Sequence, residues 1–324
     1  MSASPARRVA APALLLLVAL TVTDPAEAQF GRLRRAVTDA AQSANPSRLL
    51  QGPPPIATNL ADAVWGVDSL DGHNPDASEF KPLASLPRSG DNGGFVLQAG
   101  HWAQQNQSYC LHAGTHGPGG GDGYLFAPPR GSAEDQVFSI VHNSAAHPDI
   151  EQHDIQLLLW AIIARAKFEK LDHRLQVVAA QLLAPEQLLT LNRSALELAG
   201  PALQRAIDGM PEPVQQILRA EAALRDELTG ANASYENAER LAVLSGIAPR
   251  GEGSRDVPRG RWSRHPDGYY VRYLPRAYFS TRIEIWVPEG SPAIGKEFDP
   301  ARHIAVPGNT AKQRLIQSAR ERRT

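Results

Sequence analysis

Cysteine is the scarcest feature of the chain, one residue in 324, and beyond Val22 no long apolar run occurs. One thiol cannot close an internal disulfide, so stability has to come from packing. Without a second stretch of about 20 apolar residues, no membrane span is expected beyond the leader. No recognisable nucleic-acid motif is present, which argues against DNA or RNA as a partner. The glycine run GPGGGDG, residues 117–123, has no lysine and no strand-to-helix setting, so nucleotide binding is not expected. The C-terminus carries no sortase-type motif with a hydrophobic tail, and no cysteine follows the leader to take a lipid.

What is present at the start reads as a signal peptide. Arg7 and Arg8 precede an apolar stretch up to Val22, and Ala26-Glu27-Ala28 offers small residues for signal-peptidase cleavage before Gln29. Pro12 and Asp24 leave too little room for a retained anchor. The mature protein is expected to be exported, periplasmic or extracellular, as a bacterial cell-envelope protein. Its hydrophobic content of 42% suits a globular core. Charge is uneven: residues 249–324 hold 15 Lys/Arg against 8 Asp/Glu. That end could face an anionic envelope polymer, or form a solvated face.

Hydrophobic spacing divides the mature chain into three parts. Residues 29–94 are a Pro/Gly/Asp-rich lead-in, with a weak helical pattern over 30–50 and short strand character at Gly94–Leu97. Residues 95–248 begin with strands near 107–112 and 124–126, then turn helical. Ser132 with Asp135 predicts a capped helix start, a second helix begins near 151–154, and Pro185 and Pro213 suit first helical turns. Ser234 is expected to open a later helix. In residues 249–324, GYYVRY (268–273) and TRIEIWV (281–287) alternate as a β-hairpin does. The last 18 residues, PGNTAKQRLIQSARERRT, predict a short basic helix capped by Asn309 or Thr310. The fold class is α+β, a helical middle flanked by β-containing N- and C-terminal parts.

The lone Cys110 follows Tyr109, and downstream Gln156 and Trp160 stand four residues apart, on one face of a helix. Here the chain resembles the thioester domains of bacterial surface adhesins, over residues 108–165. Tyr109-Cys110 matches the family's Tyr-Cys, and Ile155-Gln156-Leu157-Leu158-Leu159-Trp160 aligns with its Thr-Gln-x-Ala-Ile-Trp motif, with Ile155 and Leu158 standing for Thr and Ala. The resemblance implies an internal thioester between Cys110 and Gln156, with Tyr109 and Trp160 as shields, open to an amine on a surface partner. The function implied is covalent attachment without turnover, and no cofactor.

Two other readings stay open. Cys110 flanked by Tyr and Leu suits a buried packing residue in a noncovalent envelope or scaffold protein. It could also be a hydrolase or transferase nucleophile, with His112, His142 or His147 as base, or His116 or His153. The histidines fit no recognised metal pattern, and no metal is expected.

Overall fold

The computed structural model describes residues 54–322, apart from 57, 65–69, 71, 91–93, 120, 195–210 and 232. The leader and the helical pattern over 30–50 lie outside the described residues. In chain order the elements begin with β1 (Lys81–Pro82), β2 (Arg88–Ser89), β3 (Gly94–Val96), β4 (Gly100–Cys110), β5 (Thr115–His116) and β6 (Tyr124–Ala127). Among the described residues six helices follow: α1 (Glu134–Asn143), α2 (Gln152–Ile163), α3 (His173–Leu182), α4 (Pro185–Ser194), α5 (Glu212–Leu228) and α6 (Tyr235–Ala242). The chain closes with β7 (Val243–Leu244), β8 (Ser263–Arg264), β9 (Tyr270–Ala277), β10 (Ser280–Val287), β11 (Glu297–Phe298), β12 (Ile304–Pro307) and β13 (Leu315–Glu321). The architecture is therefore α+β, with the helices in the middle of the chain.

One sheet joins strands that precede the helices to strands that follow them. Its strand order is β6-β12-β13-β4-β10-β9-β8, with β1 beside β4. Strand β4 runs through its centre, antiparallel to β10 from Gly100 opposite Val287 to Gln107 opposite Ser280. On its other side β13 pairs Leu315 with Cys110 and Ile316 with Tyr109. The sheet curls, so that the Phe126 amide at one end donates to the Ser263 hydroxyl near the other. Except for β11, which pairs with β3 in a smaller sheet, the 249–324 strands are thus integral to the sheet that holds β4.

The hairpin of β9 and β10 forms as its alternation predicts. Ile283, Ile285 and Val287 are fully buried on one face, while Glu284 on the other accepts from both Arg272 and Arg282 at 2.6 Å. Helix α2 reads apolar on every side, which marks a helix surrounded by protein, and it is buried from Asp154 to Ile163. It packs between β4, α1, α3, α5 and α6. Pro185 and Pro213 sit in the first turns of α4 and α5, and the Ser234 hydroxyl caps α6 by accepting from the Asn237 amide.

Two expectations are corrected. The C-terminal stretch is the strand β13, not a helix, and Leu315 and Ile316 are fully buried between β12 and β4. Pairing with both neighbours outweighs the helical look of a basic, alanine-containing segment. Asn309 does cap, but it caps a turn: its side chain accepts from the Ala311 and Gly251 amides. Ser132 does not cap α1, whose N-cap is Ala133; the Ser132 hydroxyl donates to the Pro54 carbonyl. The lead-in also contributes to the core, through buried Ile56, Leu60, Leu83 and Leu86.

Candidate functional site

The site begins where β4 outruns its neighbour. Successive residues of a strand direct their backbone groups to opposite sides. The Leu111 amide donates to the Arg314 carbonyl on the β13 side, and the Ser108 amide donates to the Phe279 carbonyl at the tip of the β9–β10 hairpin. Cys110 therefore presents its N–H and C=O past that tip, where no strand follows. Buried and unpaired, those groups would be costly.

Gln156 supplies both partners. Its Oε1 accepts from the Cys110 amide at 2.8 Å, and its Nε2 donates to the Cys110 carbonyl at 3.1 Å. One turn earlier on α2, Gln152 Nε2 donates to the carbonyls of Ser108 and Phe279 at 3.2 and 2.8 Å. Two glutamines four residues apart thus continue the sheet edge with side-chain amides. This double bond to one residue holds the Gln156 amide carbon alongside the Cys110 backbone. Cys110 is fully buried and Gln156 is 2% exposed.

An aromatic and acidic cluster adjoins them. Trp160 is fully buried, and its ring stacks with Tyr235, centroids 5.8 Å apart; His153 stacks on Tyr235 at 3.8 Å. The Tyr235 and Tyr278 hydroxyls are 2.6 Å apart, and Tyr278 donates to the Glu239 carboxylate. Tyr235 and Glu239 share a face of α6, and Tyr278 comes from the hairpin tip. Burial first, and then the nearby Glu239 carboxylate, push the Cys110 thiol well above its ordinary range. Tyr235 is likewise pushed up, by burial first.

The sequence-derived residues fall into two groups. Gln156 bonds the Cys110 backbone, and Trp160 follows one turn later on α2, stacked with Tyr235. Tyr109 lies on the opposite face of the sheet: its hydroxyl donates to Gln107 Oε1 at 3.1 Å, and burial raises it to about 12. It cannot shield Cys110 from that side. His142 Nδ1 is 2.7 Å from Asp299 Oδ2, and His147 sits in the turn after α1, its amide donating to Ser144. His112, buried at 2% exposure, lies two residues beyond Cys110 where the chain leaves β4. His116 pairs in β5. Asp122 is bonded to Lys312 and Asp154 to Arg174. Among the described residues, no group of three or more His, Cys, Asp or Glu could hold a metal ion.

Gln152, Tyr235, Glu239 and Tyr278 were not singled out from the sequence. For Gln152 a signal existed: Gln152 and Gln156 are amides at helical spacing in an otherwise apolar helix. For the others none did, because α6 and the hairpin tip reach Cys110 only through the fold. Several basic residues of the C-terminal part are engaged internally: Arg272 with Glu284, Arg314 with the Thr58 and Thr310 carbonyls, and Arg322 with Gln152. No helix among the described residues is long and apolar enough to cross a membrane. Comparison with family models, with curated proteins and with solved structures finds no match.

Proposed function

We propose that the protein is an exported binding protein that attaches covalently to amine-bearing partners through a thioester between Cys110 and Gln156. The observation that carries this reading is the double hydrogen bond of the Gln156 amide to Cys110, across 46 positions of sequence, between two buried residues. The chemistry follows from the contacts. The Cys110 sulfur attacks the Gln156 amide carbon, a C–S bond forms, and the C–N bond breaks with release of ammonia. The Cys110 N–H that binds Gln156 Oε1 is the kind of donor that stabilises charge on a carbonyl oxygen under attack. A thioester survives only where water is kept out, and Cys110, Gln156 and the nearby Trp160, stacked with Tyr235, supply a buried, aromatic setting. An incoming amine would then form an amide with the Gln156 side chain and return the thiol.

The test is the intact mass of protein purified without amines. A wild type lighter by one ammonia, gaining one methylamine on treatment, while Cys110→Ala does neither, supports the reading. A full wild-type mass with a thiol that alkylates after denaturation overturns it.

A second reading has its own observation. Gln152 bonds the edge of β4 at Ser108 just as Gln156 does at Cys110, and no thiol is involved there. On this reading Gln156 completes the sheet, Cys110 is packing, and the protein binds its partners noncovalently. The unmodified mass is its expected result.

A further inference from the structure

The two tyrosines and the glutamate beside Cys110 have no part in forming a thioester, yet they are arranged as a chain. Tyr235 and Tyr278 share a hydroxyl–hydroxyl contact of 2.6 Å, and Tyr278 donates to Glu239. The cluster spans the boundary of the site. Cys110 and Trp160 are fully buried and Tyr278 is 8% exposed, whereas Tyr235 and Glu239 are only half-buried. Tyr235 lies between the exposed His153 and the buried Trp160, stacked on both. Through Tyr278 and Tyr235, Glu239 is linked to the Trp160 ring, one turn from Gln156 on α2. The charged groups facing the cluster are Glu239 from α6 and Arg322, which bonds Gln152 and lies over the Phe279 ring at 5.0 Å.

A primary amine on a protein surface is a protonated ammonium at neutral pH, and only its free base attacks an acyl carbon. A site for amines therefore needs an anion that attracts the ammonium and takes its proton. We infer that Glu239, held by the Tyr278 hydroxyl and flanked by Tyr235, is the general base of the attachment step and selects cationic primary amines such as lysine side chains. This rests on the thioester reading. The ammonium gives one proton to the Glu239 carboxylate, which later passes it to water. The amine nitrogen then bonds to the Gln156 carbonyl carbon, the C–S bond breaks, and the second nitrogen proton goes to the Cys110 sulfur. One amide and one thiol replace one thioester and one amine.

The experiment compares wild type, Glu239→Gln and Glu236→Gln, the last altering an exposed carboxylate one turn away on α6. Intact mass first establishes whether each protein carries the ammonia loss. The rate of methylamine addition is then followed from pH 6 to 9 by mass, with thermal melting as a check on folding. Glu239→Gln is expected to retain the ammonia loss and to react about 100-fold more slowly at neutral pH, within the range for loss of a general base. Its deficit should shrink as pH rises and the small free-base fraction of methylamine grows, and Glu236→Gln should match wild type. Glu239→Gln with the ammonia loss and an unchanged rate overturns this inference alone. A wild type without ammonia loss overturns both this inference and the thioester. If Glu239→Gln lacks the loss, or does not fold, Glu239→Asp decides: with the ammonia loss retained, slower methylamine addition at neutral pH whose deficit shrinks as pH rises upholds the base, and a rate equal to wild type at every pH rejects it.

Discussion

Gln156 and Cys110 meet through a single side-chain amide that occupies both hydrogen-bonding groups of a single peptide residue, at 2.8 and 3.1 Å. Both bonds belong to the unreacted side chain, because thioester formation expels Nε2 and with it the donor to the Cys110 carbonyl. The thiol and the backbone of Cys110 can therefore be separated by mutation.

Removing the amide should cost more than removing the sulfur. Gln156→Leu leaves the Cys110 N–H and C=O buried and unpaired, at about 1–3 kcal/mol for each group. Cys110→Ala keeps both bonds and should lose about 1 kcal/mol, typical of a modest core change. Urea denaturation of the two variants measures the difference; equal losses would show that the amide does not hold the edge.

Gln152 should be structural only. Gln152→Leu removes the amide from the carbonyls of Ser108 and Phe279. A loss of about 1–3 kcal/mol is expected from the orphaned carbonyls, with the ammonia loss of the intact mass unchanged. A mass that reverts to the full value would instead place Gln152 within the thioester chemistry.

The fold should be acid-sensitive through His303. It is 5% exposed, its Nδ1 donates to the Asp299 carbonyl at 2.7 Å, and its Nε2 accepts from the Tyr269 hydroxyl at 2.9 Å. These bonds require the neutral ring, and burial, the largest cause, pulls it down to about 3. The unfolded chain takes up a proton near pH 6.5 that the folded one refuses, so stability is full above that value and lost as pH falls toward 3. The slope is up to about 1.4 kcal/mol per pH unit. Urea midpoints between pH 7.5 and 5 measure it, and His303→Gln should flatten the dependence.

The C-terminal strand should be indispensable. A chain ending at Gln313 loses β13 from between β12 and β4. It should fail to fold, as circular dichroism and solubility would show, whereas ending at Arg322 should leave the melting temperature unchanged. A folded protein truncated at Gln313 would mean that the strand is peripheral.

Part of this was readable from residues alone. The alternation of β9 and β10, the all-round apolar face of α2, the first-turn prolines and the Ser234 cap depend on neighbours within one turn or one strand, and local spacing encodes them. The pairing of Cys110 with Gln156 was legible only through the motif resemblance, since nothing in local spacing relates residues 46 apart. Tyr109 was misplaced because adjacency in sequence was read as adjacency in space, while a strand sends neighbouring side chains to opposite faces.

By itself the sequence determined which segments are strands or helices wherever hydrophobic period and caps agree, and it set one thiol beside the end of a strand. The tertiary structure decided what β13 is, because a basic segment with two apolar residues satisfies its backbone equally well in a helix or between two waiting strands. It also decided the surroundings of Cys110. The end of the β9–β10 hairpin leaves two backbone groups in a dry interior, and only the packing of α2 and α6 determines that glutamine, tyrosine and glutamate arrive there.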